Sequence, residues 1–175
     1  MRIVLELQAE DLARFRAALA RAARLAACMD ELDILETTKR TLDSLPLGRA
    51  PGFIRQRFIA VQRLIVMLED EAWALGGPER DDVLRTLVYV CDPDDLIPDG
   101  IEGIGLLDDA IMLELLLRRH RHVFEAYADF CRFRRERATD DLLGDPLQRA
   151  KLLAGKRLAL VERMRRRLRT AQSGD

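Results

Sequence analysis

The chain is poor in side chains that carry nucleophilic or soft-metal chemistry. Its serines are Ser44, beside a linker, and Ser173, in a polar tail, and neither has a histidine near it in sequence. An activated-hydroxyl site therefore has no visible parts. The cysteines, Cys28, Cys91 and Cys131, are odd in number, far apart and each inside a helical run. No disulfide framework or paired-cysteine zinc pattern can be built from them, so they read as small buried hydrophobes in a reducing compartment. No apolar stretch reaches the ~20 residues that a spanning helix needs. No cationic flank leads into an apolar run near Arg2 and Glu6, as a secretory signal requires. The expectation is a soluble, cytoplasmic protein.

Nor is there an excess of one charge. The chain carries 29 Lys+Arg against 30 Asp+Glu, which argues against a wholesale polyanion binder. The balance hides a split, because residues 1–117 hold 13 basic and 22 acidic side chains while residues 118–175 hold 16 and 8. Two electrically opposite halves suit packing on one another, self-association or an outside anionic partner. Aromatic residues are only 5% of the chain, none interleave with the basic stretch at its end, and no DNA-reading motif is present, which excludes sequence-specific nucleic-acid recognition. At 175 residues the chain can bury a real core in one domain.

What is present is helical periodicity, and the fold class it predicts is all-α, a helical bundle. Ile3, Leu5 and Leu7 alternate and predict a short extended segment. From Asp11 to Leu45 there is no glycine or proline, and Leu12, Phe15, Leu19, Ala22, Ala26 and Met29 form one stripe. After Met29 the stripe shifts to Leu32, Leu35, Thr38, Leu42 and Leu45, which predicts a bend or brief break with Asp30 as cap. Pro46 to Gly52 is a linker. Ile54, Phe58, Val61, Ile65, Leu68, Ala72 and Leu75 then alternate by four and three, a helix-pairing seam that Gly76-Gly77-Pro78 ends. A long helix from about Asp109 to Arg135 is expected to act as a central spar, with Leu113, Leu116, Leu117, His120, Phe124, Tyr127 and Cys131 on one face. The predicted organisation is a helical core over 1–138, a linker over 139–146, and a basic C-terminal helix and tail over 147–175.

The centre of the chain is residues 83–117, two apolar helical runs joined by a carboxylate-rich loop. The first helix must stop at Asp92-Pro93, since the residue before proline is pushed out of the α region. Leu96 and Ile97 are too apolar for a solvated loop and read as plugs in the core. Asp108-Asp109 begins the next helix, placed to cap its free N–H groups. Pro93, Asp95, Leu96, Ile97, Pro98 and Asp99, followed by Gly105, Asp108 and Asp109, form the pattern P-x-D-L-I-P-D then G-x-x-D-D. This signature resembles that of the YkvA-like family, a bacterial domain of unknown function. The flanking runs L-E-D-E-A-W over 68–73 and D-D-A-I-M-L-E-L-L-L-R over 108–118 are similar to a longer proteobacterial subgroup. Glu102 departs from the pattern, standing where many members carry proline. The resemblance implies a compact helical module and no reaction.

Three constellations are candidates for chemistry. The first is eight acids between Asp92 and Glu114 with no basic residue among them. Turn and cap preferences account for most of these positions. The alternative is a hard-cation site for Mg2+ or Ca2+ on Asp95, Asp99, Asp108 and Asp109, without which no cofactor is expected. The second is the histidine pair. His122 and Glu125 read as ordinary helical pairing, whereas His120 falls within the apolar stripe and reads as a hydrogen-bonded core residue. The third is the C-terminal helix, whose apolar side is expected to hold Leu147, Ala150, Ala154, Leu158, Val161 and Leu168. Its remaining faces are crowded with arginine, among them the candidate anion-binding residues Arg163, Arg165, Arg166, Arg167 and Arg169. Docking on the chain's own acidic half is the leading reading, ahead of an anionic membrane surface and of weak, non-specific nucleic-acid binding. The function these features favour is a non-enzymatic interaction module, partnered by a protein or by itself and peripheral to the inner membrane face. The alternative is a divalent-cation-dependent enzyme built on the acidic loop.

Overall fold

The computed structural model describes residues 8–91, 106–140 and 145–172. Among these residues there are seven α-helices and no strand: α1 Ala9–Ala26, α2 Glu31–Ser44, α3 Gly52–Glu69, α4 Pro78–Val90, α5 Leu107–Arg119, α6 Arg121–Asp140 and α7 Pro146–Gln172. The extended segment expected at Ile3, Leu5 and Leu7 lies outside the described residues, as do Asp92 to Gly105.

Several boundaries follow from local chemistry. The α1–α2 break falls where the stripe shifts, with Asp30 in extended backbone at the N-cap position, although its side chain makes no capping hydrogen bond. Pro78 opens α4 at a position where its missing N–H has no partner to lose. The same helix stops at Val90, just ahead of Asp92-Pro93.

The core gathers on α4, against which α1, α2 and α3 all pack; α3 also lies on α5, and α6 on α7. Phe58, Val61, Leu64, Trp73, Val83, Leu87, Leu113, Val123 and Phe130 are fully enclosed. Burying a side chain of that size contributes about 1.5–3 kcal/mol.

Four expectations are corrected. The seam of α3 ends at Glu69, and Asp70 to Gly77 is a non-helical turn that drives Trp73 into the core. The spar is two helices, α5 and α6, parted at His120. That break resets the helical phase, so α6 buries Val123, Ala126 and Phe130, while Phe124, Tyr127 and Cys131 are only half-buried. On α7 the buried line is Leu160 and Met164, with Leu153 and Val161 beside it, while Leu147 and Leu158 are exposed. Finally, no cysteine is fully buried: Cys28 is exposed and Cys91 and Cys131 are intermediate.

Candidate functional site

The signature residues Pro93, Asp95, Leu96, Ile97, Pro98, Asp99 and Gly105 lie outside the described residues, and so does the proposed cation site that needs Asp95 and Asp99. Asp108 and Asp109 are inside the first turn of α5, whose N-cap position is Leu106. They therefore sit where the helix dipole favours negative charge rather than at the cap itself. Among the described residues no group of three His, Cys, Asp or Glu side chains is placed to hold a metal ion.

The C-terminal arginines divide by partner. Arg165 reaches across to α4, where its Nε and Nη2 donate to the two carboxylate oxygens of Glu79 at 3.0 and 2.8 Å. Glu79 is buried. Burial is the largest influence and opposes its ionisation, yet the Arg165 hydrogen bonds and charge, a backbone hydrogen bond and nearby His122 together outweigh it and hold the carboxyl below the ordinary range. A Cβ on Gly77, whose φ is +73°, would lie 2.8 Å from Arg165 Nη2, so this approach requires glycine twice over. Arg163 pairs with Asp129 of α6, and Arg167 lies 3.6 Å from Glu125. Arg166 and Arg169 are exposed.

Two buried polar clusters set the angles between helices. At the end of α3, Asp70 Oδ1 accepts from the backbone N–H of Ala72 and Trp73 at 3.1 and 3.2 Å. Arg134 of α6 donates to the same carboxylate at 2.8–3.0 Å, and the Tyr127 hydroxyl donates to Oδ2 at 2.9 Å. Burial and the neighbouring Cys131 and Asp70 raise the Tyr127 pKa, which keeps it a hydrogen-bond donor. Trp73 packs beneath this clamp on the rings of Tyr127 and Phe130. At the other end of α6, the buried His120 meets Thr86 Oγ1 of α4 at 2.8 Å through Nε2. Its carbonyl accepts the N–H groups of Val123 and Phe124, so a single residue closes α5 and opens α6. Burial pushes its pKa down to about 4; Asp82 opposes that shift, while Arg119 and His122 add to it.

Together these clusters hold α6 away from the C-terminal half of α3, and between them runs an open groove of about 760 Å3. Ala60 and Val66 of α3 line one wall, and Leu117, Phe124, Tyr127, Ala128 and Cys131 form the floor. Along α6 the lining residues Arg121, Phe124, Ala128, Cys131 and Arg135 alternate by three and four, the spacing of a helix seam. Val66 is 58% exposed, an uncovered apolar side chain on that wall. Arg63, Arg118, Arg121, Arg132 and Arg135 stand along its edges with Glu114 and Glu125.

Sequence reasoning put Leu117, Phe124, Tyr127 and Cys131 on one face, and that face is the groove rather than the core. Asp70, Trp73 and Arg134 were missed as a unit. The L-E-D-E-A-W run was the available signal, since an aspartate two and three residues before free N–H groups is a turn former. His120 is the hydrogen-bonded core residue expected. The helical pairing expected of Glu125 is made with Arg121, one turn away, instead of with His122.

A family model described as a protein of unknown function, DUF1232, matches residues 83–115. The match runs from within α4 to the first turns of α5 and takes in the acidic stretch between them. No curated protein and no solved structure matches the chain. No helix among the described residues is long and apolar enough to cross a membrane.

Proposed function

We propose that this is a YkvA-like, non-enzymatic interaction module whose docking face is the groove between α3, α5 and α6. The groove itself is the observation that carries this reading: it is concave, apolar along its floor, and laid out in the three-and-four register with which one helix receives another. Among the described residues its charged surroundings are arginine–carboxylate pairs, which suits binding more than catalysis.

Cys131 lines the floor and provides the test. A synthetic amphipathic helix with a leucine seam and neutral flanks should slow maleimide alkylation of Cys131 several-fold, leaving exposed Cys28 unaffected. Equal alkylation with and without saturating peptide removes the groove as a docking face.

A second reading is favoured by α7, which exposes Leu147, Leu152 and Leu158 as well as Arg149, Lys151 and Arg166. Apolar side chains set among cations suit an anionic membrane surface. Co-sedimentation with anionic vesicles that weakens with salt, and is lost in Leu158→Glu, would put the protein there.

A further inference from the structure

We infer that the occupant of the groove is an acidic amphipathic helix of another protein, carrying carboxylates in its seam two heptads apart. This rests on the docking reading above and adds the chemistry of the partner. The charge along the edges is one-sided. Five arginines face two glutamates, and both glutamates are already taken. Glu114 accepts from Arg57 at 2.7–2.9 Å and from Arg118 at 2.7 Å. Glu125 accepts from Arg121 at 2.8 Å and has Arg167 at 3.6 Å. On the other side of the balance, Arg63 is exposed and makes no ion pair among the described residues, and Arg132 has only a 3.6 Å approach to Asp129. An incoming helix with basic flanks would meet an excess of like charge along the groove; one with acidic flanks would meet an excess of opposite charge.

The seam positions narrow the partner further. Phe124, Ala128 and Cys131 fill the middle of the α6 stripe, and Arg121 and Arg135 occupy its two ends within the same three-and-four register. Four turns separate them, about 20 Å of helix axis. A matching helix therefore carries apolar residues between two acidic ones that meet these arginines.

A second copy of this chain does not meet the requirement. Antiparallel pairing of two α6 stripes brings Arg121 against Arg135, and parallel pairing sets each arginine beside itself. A flat membrane surface fits poorly as well, because the apolar atoms lie on the floor of a concavity between arginine edges and not on a convex face.

The experiment uses the full chain and three fluorescein-labelled synthetic peptides with the same leucine seam. One carries glutamate at the flanks and at the two seam ends, one lysine and one glutamine at those places, and anisotropy reads binding over a NaCl series. The expected result is that the glutamate peptide binds at least tenfold tighter than the glutamine peptide, that this advantage shrinks with salt, and that the lysine peptide binds weakest. Arg121→Glu combined with Arg135→Glu should invert the order. Both side chains are solvent-exposed, and unchanged melting confirms that the variant folds. Protection of Cys131 by the glutamine peptide with no gain for glutamate overturns the acidic partner while leaving the docking face intact. Absence of binding by all three peptides overturns both. A dimer in sedimentation that Ala128→Glu dissociates, or vesicle binding that this variant abolishes, overturns the protein-helix occupant in favour of self-association or lipid.

Discussion

Arg134 and Arg165 differ from Arg121 and Arg132 in being less exposed themselves and in where their carboxylates sit. Asp70 and Glu79 have side chains only 9% and 7% exposed, whereas Glu125 and Asp129 are 46% and 32% exposed. A buried carboxylate stripped of its cation is left without solvation, so the first pair of arginines is bound up with the fold. A half-exposed carboxylate is solvated whether or not its arginine stays, so the second pair is available to an outside ligand at little cost. The four residues are alike as sequence. Burial of the partner separates a clamp from a docking edge.

The largest expected effects fall on the clamps. Asp70→Ala leaves the Arg134 guanidinium, the Tyr127 hydroxyl and two amide N–H groups without their acceptor, and should cost roughly 3–5 kcal/mol in chemical denaturation. Arg165→Ala should cost less, roughly 2 kcal/mol, since it removes one half-exposed partner of Glu79, whereas Asp70→Ala strands several donors at once. A wild-type midpoint for Asp70→Ala would erase the distinction between the two sets of arginines.

Next is the pH dependence contributed by His120. Burial lowers its folded pKa from 6.5 to about 4, so protons are drawn to the unfolded chain. The stability tied to the neutral imidazole is complete above about pH 6.5 and is lost as pH falls towards 4, by roughly 3 kcal/mol in all. Glu79 and Glu114 are held below the ordinary carboxylate range, so their contributions are present above about pH 4.5 and are lost at lower pH. Denaturation midpoints between pH 7 and 4.5 should therefore slope in the wild type and slope less in His120→Gln, where the lowered pKa of His122 still contributes. An unchanged slope in that variant would mean that His120 does not govern the α5–α6 joint in the way its burial implies.

The smallest expected effect is on the groove. Ala128 is exposed, and Ala128→Glu should change stability by no more than about 0.5 kcal/mol while abolishing protection of Cys131 by the neutral peptide. A large loss of stability would make this face part of the core and not a docking surface.

Helix ends that depend on neighbouring residues were legible in the sequence. Pro46 to Gly52, Pro78 and Asp92-Pro93 fall where helices start or stop, because a missing N–H or a restricted φ acts within one or two positions. The charge split and the all-α class follow from the sequence as directly. The break at His120 was not legible, for no glycine or proline lies between Leu106 and Asp140. It is held by a bond to Thr86, 34 residues earlier in the chain. The end of α3 was hidden by a periodicity that continues through Ala72 and Leu75, which reach the core from a turn instead of a helix.

The sequence by itself determined that the chain is helical and how much apolar surface it has to cover. Only the tertiary structure decided which apolar stripe of a helix is covered. On α7, Leu158 and Leu160 are equally hydrophobic and two residues apart, so they point to different sides of the helix. Contacts with α6 and the reach of Arg165 to Glu79 bury Leu160 and leave Leu158 in water. On α6 the stripe of Phe124, Ala128 and Cys131 reads as core from its periodicity. Tertiary structure makes it a groove, because the Asp70 clamp and the His120 joint fix α6 at a distance from α3 that no spacing within either helix encodes.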